Sequence, residues 1–420
     1  VTPPRRAARR GGRAVPLALA LLLAGCTAAG GDGVASVTDD PASAVTSVSI
    51  TPVTPAGLVT GPGVSSTAIT LAVLVDPERD RGTVQGVRLW QGSVNADGGL
   101  CGRSVTLVVT GAGGVPTDPA EAYRQVGRDA LGVITTPGGG DLADLLAADA
   151  MPALAAGGPA LTSAPLPVGA TDDVLAINAL AYLQGADLLP AGAPVGVLTD
   201  GGPSAVDALT GARWWVRQEG AGALAVRPVG SDTDLTDWGG APVVLGLADA
   251  AAVSRLAESV PAGTTVVTTV DGYDPAVWSP AALAVAAQGR VLVTAPTPAF
   301  GSDQPAAAAV AAEFRAAGGT DPGARLLAGY AAATEWGRLL TGMCADLALT
   351  RSAATDALAA VGPAPDGSLL GPTDPGAIAL GLPATRVSAM SRADPGAPAG
   401  LAPLTWLESD DDIDAYRPPR

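Results

Sequence analysis

The chain has 420 residues, of which 48% are hydrophobic and 15% charged, enough for a large buried core and, by length, two or three domains. Its 40 acidic residues outnumber 24 basic ones, and the resulting charge of −16 repels nucleic acid, so no nucleic-acid partner is expected. It contains no histidine, which removes the Ser-His-Asp and Cys-His catalytic arrangements and the usual His-containing metal sites.

Arg5, Arg6, Arg9, Arg10 and Arg13 precede an apolar run at 15–24. A basic stretch followed by a run this short fits an export signal and falls short of the ~20 residues a membrane-spanning helix needs. The run ends in Leu23-Ala24-Gly25-Cys26, which resembles a bacterial lipobox. That resemblance implies a lipoprotein signal peptide at 1–25, lipidation of Cys26, and a place on the outer face of the cell membrane, held there through the lipid alone. An ordinary secretory signal with an incidental cysteine is the plainer alternative. Without the signal, 19 basic residues face 40 acidic ones, a net charge of −21. In an exported protein, setting Cys26 aside leaves Cys101 and Cys344, either a disulfide or two separate thiols. Residues 26–67 are rich in Gly, Pro, Ser and Thr and read as a flexible tether.

Folding is expected to start near residue 68. A strand at 69–75, an amphipathic helix within 82–103 and a strand at 105–109 form a βαβ unit, whose strands must run parallel. An Asp-Pro start opens a helix at 118–129, and a strand at 131–136 follows. Next come a glycine-rich turn, a helix at 142–150 and a short strand at 152–154. After an irregular passage at 159–171 the alternation resumes, with a helix at 172–183, a strand at 193–199 and a helix at 204–218. Strands at 223–229, 242–247 and 264–270 follow, with a helix at 248–259, and then a strand at 289–295. Helices at 305–317, 324–348 and 353–361 and a strand near 384–389 complete the pattern, which is that of parallel sheets covered on both faces.

Several stretches carry a resemblance. N-A-D-G-G-L-C-G-R at 95–103 is similar to the N-x-x-G-G-x-x-G-R motif that closes the first helix of one binding-protein family. It is followed by D-P-A-E-A at 118, V-I-T-T-P-G-G-G at 133, V-D-G-Y-D-P at 270, R-V-L-V-T-A-P-T-P-A-F at 290 and G-Y-A-A-A at 329. In that order they resemble the type I periplasmic substrate-binding proteins of ABC transporters, the branched-chain amino acid (Leu/Ile/Val-binding) type, over about residues 68–350. The resemblance implies an α/β fold of two doubly wound parallel-sheet lobes. Residues 68–165 with 296–370 would form one lobe and 166–295 with 371–420 the other, joined by three crossings near 159–171, 296–304 and 371–383. It further implies a monomer without cofactor or metal that captures a small-molecule ligand for an ABC permease and ATPase, and that is not an enzyme.

In open parallel sheets a ligand sits beyond the carboxyl ends of the strands. The candidates there are Glu78 and Arg79; Pro137, Gly138, Gly139 and Gly140; Ala156, Gly157 and Gly158; and Asp271 with Tyr273. In relatives that bind amino acids, hydroxyls in the second and third loops take the ligand carboxylate, and an acid in the last takes the ammonium. Here glycine and alanine replace the hydroxyls, Asp271 matches the acid, and backbone N–H groups of the glycine turn remain as anion donors. Asp271, preceding Gly272, equally fits a turn. The glycines lack the lysine of a phosphate-binding loop, and no G-x-G-x-x-G opens a helix after a strand. The expected ligand is small and polar, amino acid-like or amide-like. A non-transport sensing or interaction lipoprotein on the same fold is the alternative.

Overall fold

The computed structural model describes residues 57–418 apart from 138–139, 160–164, 220–221, 231, 361, 363, 365–366, 375–376, 378–381, 408–412 and 414. The expected signal peptide, Cys26 and residues 26–56 of the tether lie outside the described residues, as do Gly138 and Gly139; the tether's expected end, 57–67, is instead folded, with Val59–Thr60 paired to Ala348–Leu349 and the Ser65 carbonyl accepting from Arg103.

After a short strand β1 (Val59–Thr60), the expected βαβ unit forms from β2 (Ala68–Leu74), α1 (Arg81–Ala96) and β3 (Ser104–Val109). Then come α2 (Pro119–Gln125), β4 (Gly132–Thr135), α3 (Gly140–Ala148), β5 (Ala153–Ala155) and β6 (Leu166–Pro167). The strands build a five-stranded, wholly parallel sheet in the order β3-β2-β4-β5-β6. Ile69, Leu71 and Val73 of β2 pack toward Val87 and Trp90 of α1, while Ala72 and Leu74 pack on the other face against Tyr123 and Leu146. A strand buried on both faces needs the near-continuous apolar run that the sequence shows there.

The chain then passes to a second lobe with α4 (Asp172–Gly185), β7 (Val195–Thr199), α5 (Pro203–Gln218), β8 (Leu224–Pro228), β9 (Val243–Leu247), α6 (Ala250–Ser259), β10 (Thr265–Thr269), α7 (Pro280–Ala287) and β11 (Val291–Ala295). It returns with α8 (Pro305–Ala316), α9 (Leu326–Ala345), β12 (Ala348–Leu349, parallel to β1) and α10 (Arg351–Ala360). Phe300, Phe314, Leu327 and Trp336 from this return share the core of the first sheet. A third passage leads to β13 (Ser388–Ala393) and β14 (Leu401–Leu407) in the second lobe. There the order is β14-β13-β11-β10-β9-β7-β8, parallel from β11 to β8 and finished by an antiparallel hairpin. No described helix is long and apolar enough to cross a membrane.

Three further details differ from expectation. The second sheet is mixed, because β13 and β14 add an antiparallel edge, and β13 lies at 388–393 rather than 384–389. The first sheet runs to Pro167 through β6, past the expected lobe boundary at 165. Helix α7 was not expected, since its sequence PAALAVAA is apolar all round and shows no helical stripe.

The 95–103 motif is a fastening between helix and strand. The Asn95 side chain accepts from the Val105 N–H (2.7 Å) and donates to its carbonyl (2.9 Å), as a neighbouring strand would. Arg103 is buried, its Nε donating to the Ser65 carbonyl at 2.7 Å. Gly99 has φ +78°, and a side chain there would collide with the Arg103 carbonyl. The turn between them brings the Cα atoms of Cys101 and Cys344 to 5.7 Å, inside the range that a disulfide spans.

Candidate functional site

The carboxyl ends of strands from both lobes face a common cleft. Its inner part is a cavity of about 150 Å³, to which the first lobe contributes Arg79 and Pro137 and the second Asp172, Asp200, Ser204, Asp249 and Asp271. A wider outer chamber of about 910 Å³ takes in Glu78, Arg79, Asp271, Tyr273 and Arg325 among its walls.

Local chemistry explains how the loops hold their shapes. After β2, the Asp76 carboxylate accepts the N–H groups of Glu78 and Arg79, both at 3.0 Å, and turns the chain into α1. Asp200 accepts from Gly202 (2.8 Å) before α5, and Asp249 caps α6 by accepting from Ala252 (2.8 Å). Carboxylates at helix starts satisfy donors that the helix itself leaves open.

A buried guanidinium joins the two lobes. Arg325, just ahead of α9, lies 3.4 Å from Asp80 of the first lobe and forms an ion pair with Asp271 of the second. Asp80 is fully buried and also takes bonds from Arg79 (3.1 Å) and the Thr136 hydroxyl (2.7 Å). Burial works against its charge, but Arg325 and Arg79 outweigh that and hold its pKa below the usual carboxylate range. Burial likewise pulls the Arg325 guanidinium down, and Asp80 pushes it back up.

Asp172 is the opposite case. It stands in the first turn of α4, with 4% of its surface exposed, and burial lifts its carboxyl to about 7 against the pull of the Ser204 hydroxyl. Asp207 and Asp173 nearby add to the rise. Its Oδ2 has no hydrogen-bond partner among the described residues. Asp173, facing away, accepts from the hydroxyls of Thr171 and Tyr416, the latter at 2.7 Å, while its N–H donates to Asp207 at 3.0 Å.

The residues expected from sequence are thus placed unevenly. Arg79, Pro137 and Asp271 meet at the inner cavity, and Glu78 and Tyr273 border only the outer chamber. Tyr273 is itself buried against Trp278, ring centroids 5.0 Å apart. Gly140 opens α3. Ala156, Gly157 and Gly158 line neither space: Gly157 lies under Pro296 and Gly158 under Pro137. Asp172, Ser204 and Arg325 were not singled out. Two of them sit at helix starts and read as capping residues, and Arg325 comes from a helix that belongs to no strand end.

Two doubly wound lobes, crossed three times by the chain and meeting over the carboxyl ends of their strands, constitute the type I periplasmic binding protein fold. Solved structures with that fold match nearly the whole described chain. One is a fatty acid ABC transporter substrate-binding protein from Thermomonospora curvata, with 22% identity, 87% of this chain and 98% of that one covered, and a TM-score of 0.74. A branched chain amino acid ABC transporter from Thermus thermophilus with bound valine is 14% identical over 83% of this chain and 98% of that one, TM-score 0.63. A solute binding protein of an ABC transporter from Rhodopseudomonas palustris in complex with p-hydroxybenzoic acid is 17% identical over 83% and 99%, TM-score 0.62. No family model matches the chain, and no curated protein matches it in sequence.

Proposed function

We propose that the chain is an extracytoplasmic solute-binding protein that captures a small polar molecule between its lobes and presents it to an ABC permease and ATPase. The observation that carries this reading is the inner cavity, walled by strand ends of both lobes at once, so that a ligand there gains its contacts only in the closed form. Closure about the three crossings then couples occupancy to a shape that a permease reads. The similar structures are described as transport binding proteins, and their named ligands, a fatty acid, valine and p-hydroxybenzoic acid, support the role while leaving the ligand to the local chemistry of the cleft. Lipidation at Cys26 would hold a monomer at the outer face of the cell membrane, with the residues between Cys26 and β1 as tether.

Thermal shift followed by isothermal titration against amino acids, amides, amines, carboxylates and nucleosides tests this reading. At least one compound should raise the melting temperature with one-to-one stoichiometry. A folded protein that responds to none of them is not a solute-binding protein of this kind.

A further inference from the structure

Several backbone donors around the inner cavity that are suited to a ligand carboxylate already have one from the chain. Helix N-termini attract anions, but Asp249 takes the Ala252 N–H of α6, Asp200 takes the Gly202 N–H ahead of α5, and Asp76 takes two N–H groups ahead of α1, while α5 itself carries no side-chain cap. The guanidiniums are engaged too: Arg79 bonds to Asp80, and Arg325 is ion-paired with Asp80 and Asp271, although its Nη2 makes no hydrogen bond among the described residues. Asp271, the acid expected to meet a ligand ammonium, is therefore matched internally. What the cavity has to spare is acceptor capacity. Among its described lining residues Asp172, Asp200, Asp249 and Asp271 face a single guanidinium, Arg79, and the buried Asp172 leaves Oδ2 unpartnered. An unpaired buried acceptor costs free energy that a donor from outside recovers.

We propose that the inner cavity takes the protonated amine of a small organic cation that carries no carboxylate, seated against Asp172. The proposal rests on the solute-binding reading above and narrows its ligand from amino acids to amines. A volume of about 150 Å³ equals that of an engineered cavity known to admit benzene, which sets the buried part of the ligand at about six to eight heavy atoms. The outer chamber leaves room for a longer chain, and Glu78 and Asp274 on its walls favour a second positive charge, Asp321 there being paired with Arg81. Asp172 faces Ser204 and Asp207 from α5, Asp173 from its own helix and Arg325 from ahead of α9, and only the last is a cation. The carboxyl changes charge near pH 7. An ammonium binds its ionised form, so protons compete with the ligand in mild acid.

The test is isothermal titration of the intact protein with 1,4-diaminobutane, beside L-leucine and hexanoate, at pH 6 and pH 8. Binding of the diamine alone is expected, about tenfold weaker at pH 6 than at pH 8 because the free carboxyl is protonated at the lower pH. Asp172→Asn should weaken it by about tenfold or more at pH 8, the loss expected for a charge-assisted bond. If that variant does not fold, the pH pair on the unaltered protein decides. Preference for L-leucine or hexanoate, or diamine binding that ignores both pH and the variant, overturns the amine assignment and leaves the solute-binding reading standing. Silence across these three and the broader panel overturns both.

Discussion

Arg325 holds its charge where water scarcely reaches, with 5% of its surface exposed, and such a group persists only when oppositely charged partners surround it. Asp80 is its chief partner, and the dependence is mutual. Arg325→Ala leaves the fully buried Asp80 with Arg79 and Thr136 only. Removing one member of a buried pair costs about 3–5 kcal/mol, so urea denaturation should show a loss of that order. A loss below ~1 kcal/mol, the level of an exposed pair, would contradict the burial described. The sign with pH follows from the depressed Asp80 pKa: its contribution is complete above the ordinary carboxylate pKa of ~3.9 and fades in stronger acid. Asp271 was picked out in the sequence because it ends a strand. Its neutralisation was invisible there, since Arg325 is remote in the chain and precedes a helix instead of following a strand.

Helices α1 and α9 approach until their backbones touch. A Cβ on Gly86 would lie 2.0 Å from the Leu326 carbonyl oxygen and 2.5 Å from the Tyr330 nitrogen, and one on Gly329 would lie 2.3 Å from the Thr83 carbonyl oxygen. Backbone atoms cannot swing aside as a side chain does, so Gly86→Ala must part the helices. It should cost about 1–3 kcal/mol or more by the measure of overpacked cores, read as a lower melting temperature. Gly92, on the same helix with open space around it, is the control: Gly92→Ala should be neutral or stabilising by up to about 1 kcal/mol. These elements were readable from the 3.6-residue spacing of Thr83, Gly86, Val87 and Trp90, all buried. The tightness of the crossing was not, because 55 glycines spread through the chain hide the two that matter here. Strand β14 also escaped notice, its Pro403 arguing against a strand except at the sheet edge where it lies.

Across the whole molecule, the Cys101 and Cys344 Cα atoms stand 5.7 Å apart at a sequence separation of 243, joining the end of α1 to the end of α9 within the first lobe. A bond here closes a loop that contains the second lobe from α4 to β11, but not its β13–β14 hairpin, and leaves the cleft free to open. Chain entropy gives such a loop up to about 5 kcal/mol. Reduction should therefore lower the urea midpoint substantially while leaving ligand affinity intact, and the unreduced mature protein should show no free thiol on denaturation. Two alkylatable thiols would refute the bond.

The alternation of strand and helix followed from the chain alone, because burying one face of a helix or both faces of a parallel strand imposes a period that neighbouring residues must carry, and the family resemblance added the two lobes. Which charges in the cleft are matched and which is left over depended on side chains brought together from distant segments: Arg325 onto Asp80 and Asp271, Ser204 toward Asp172. No local period records such a meeting. It is set when the lobes close, and with it the chemistry that a ligand finds there.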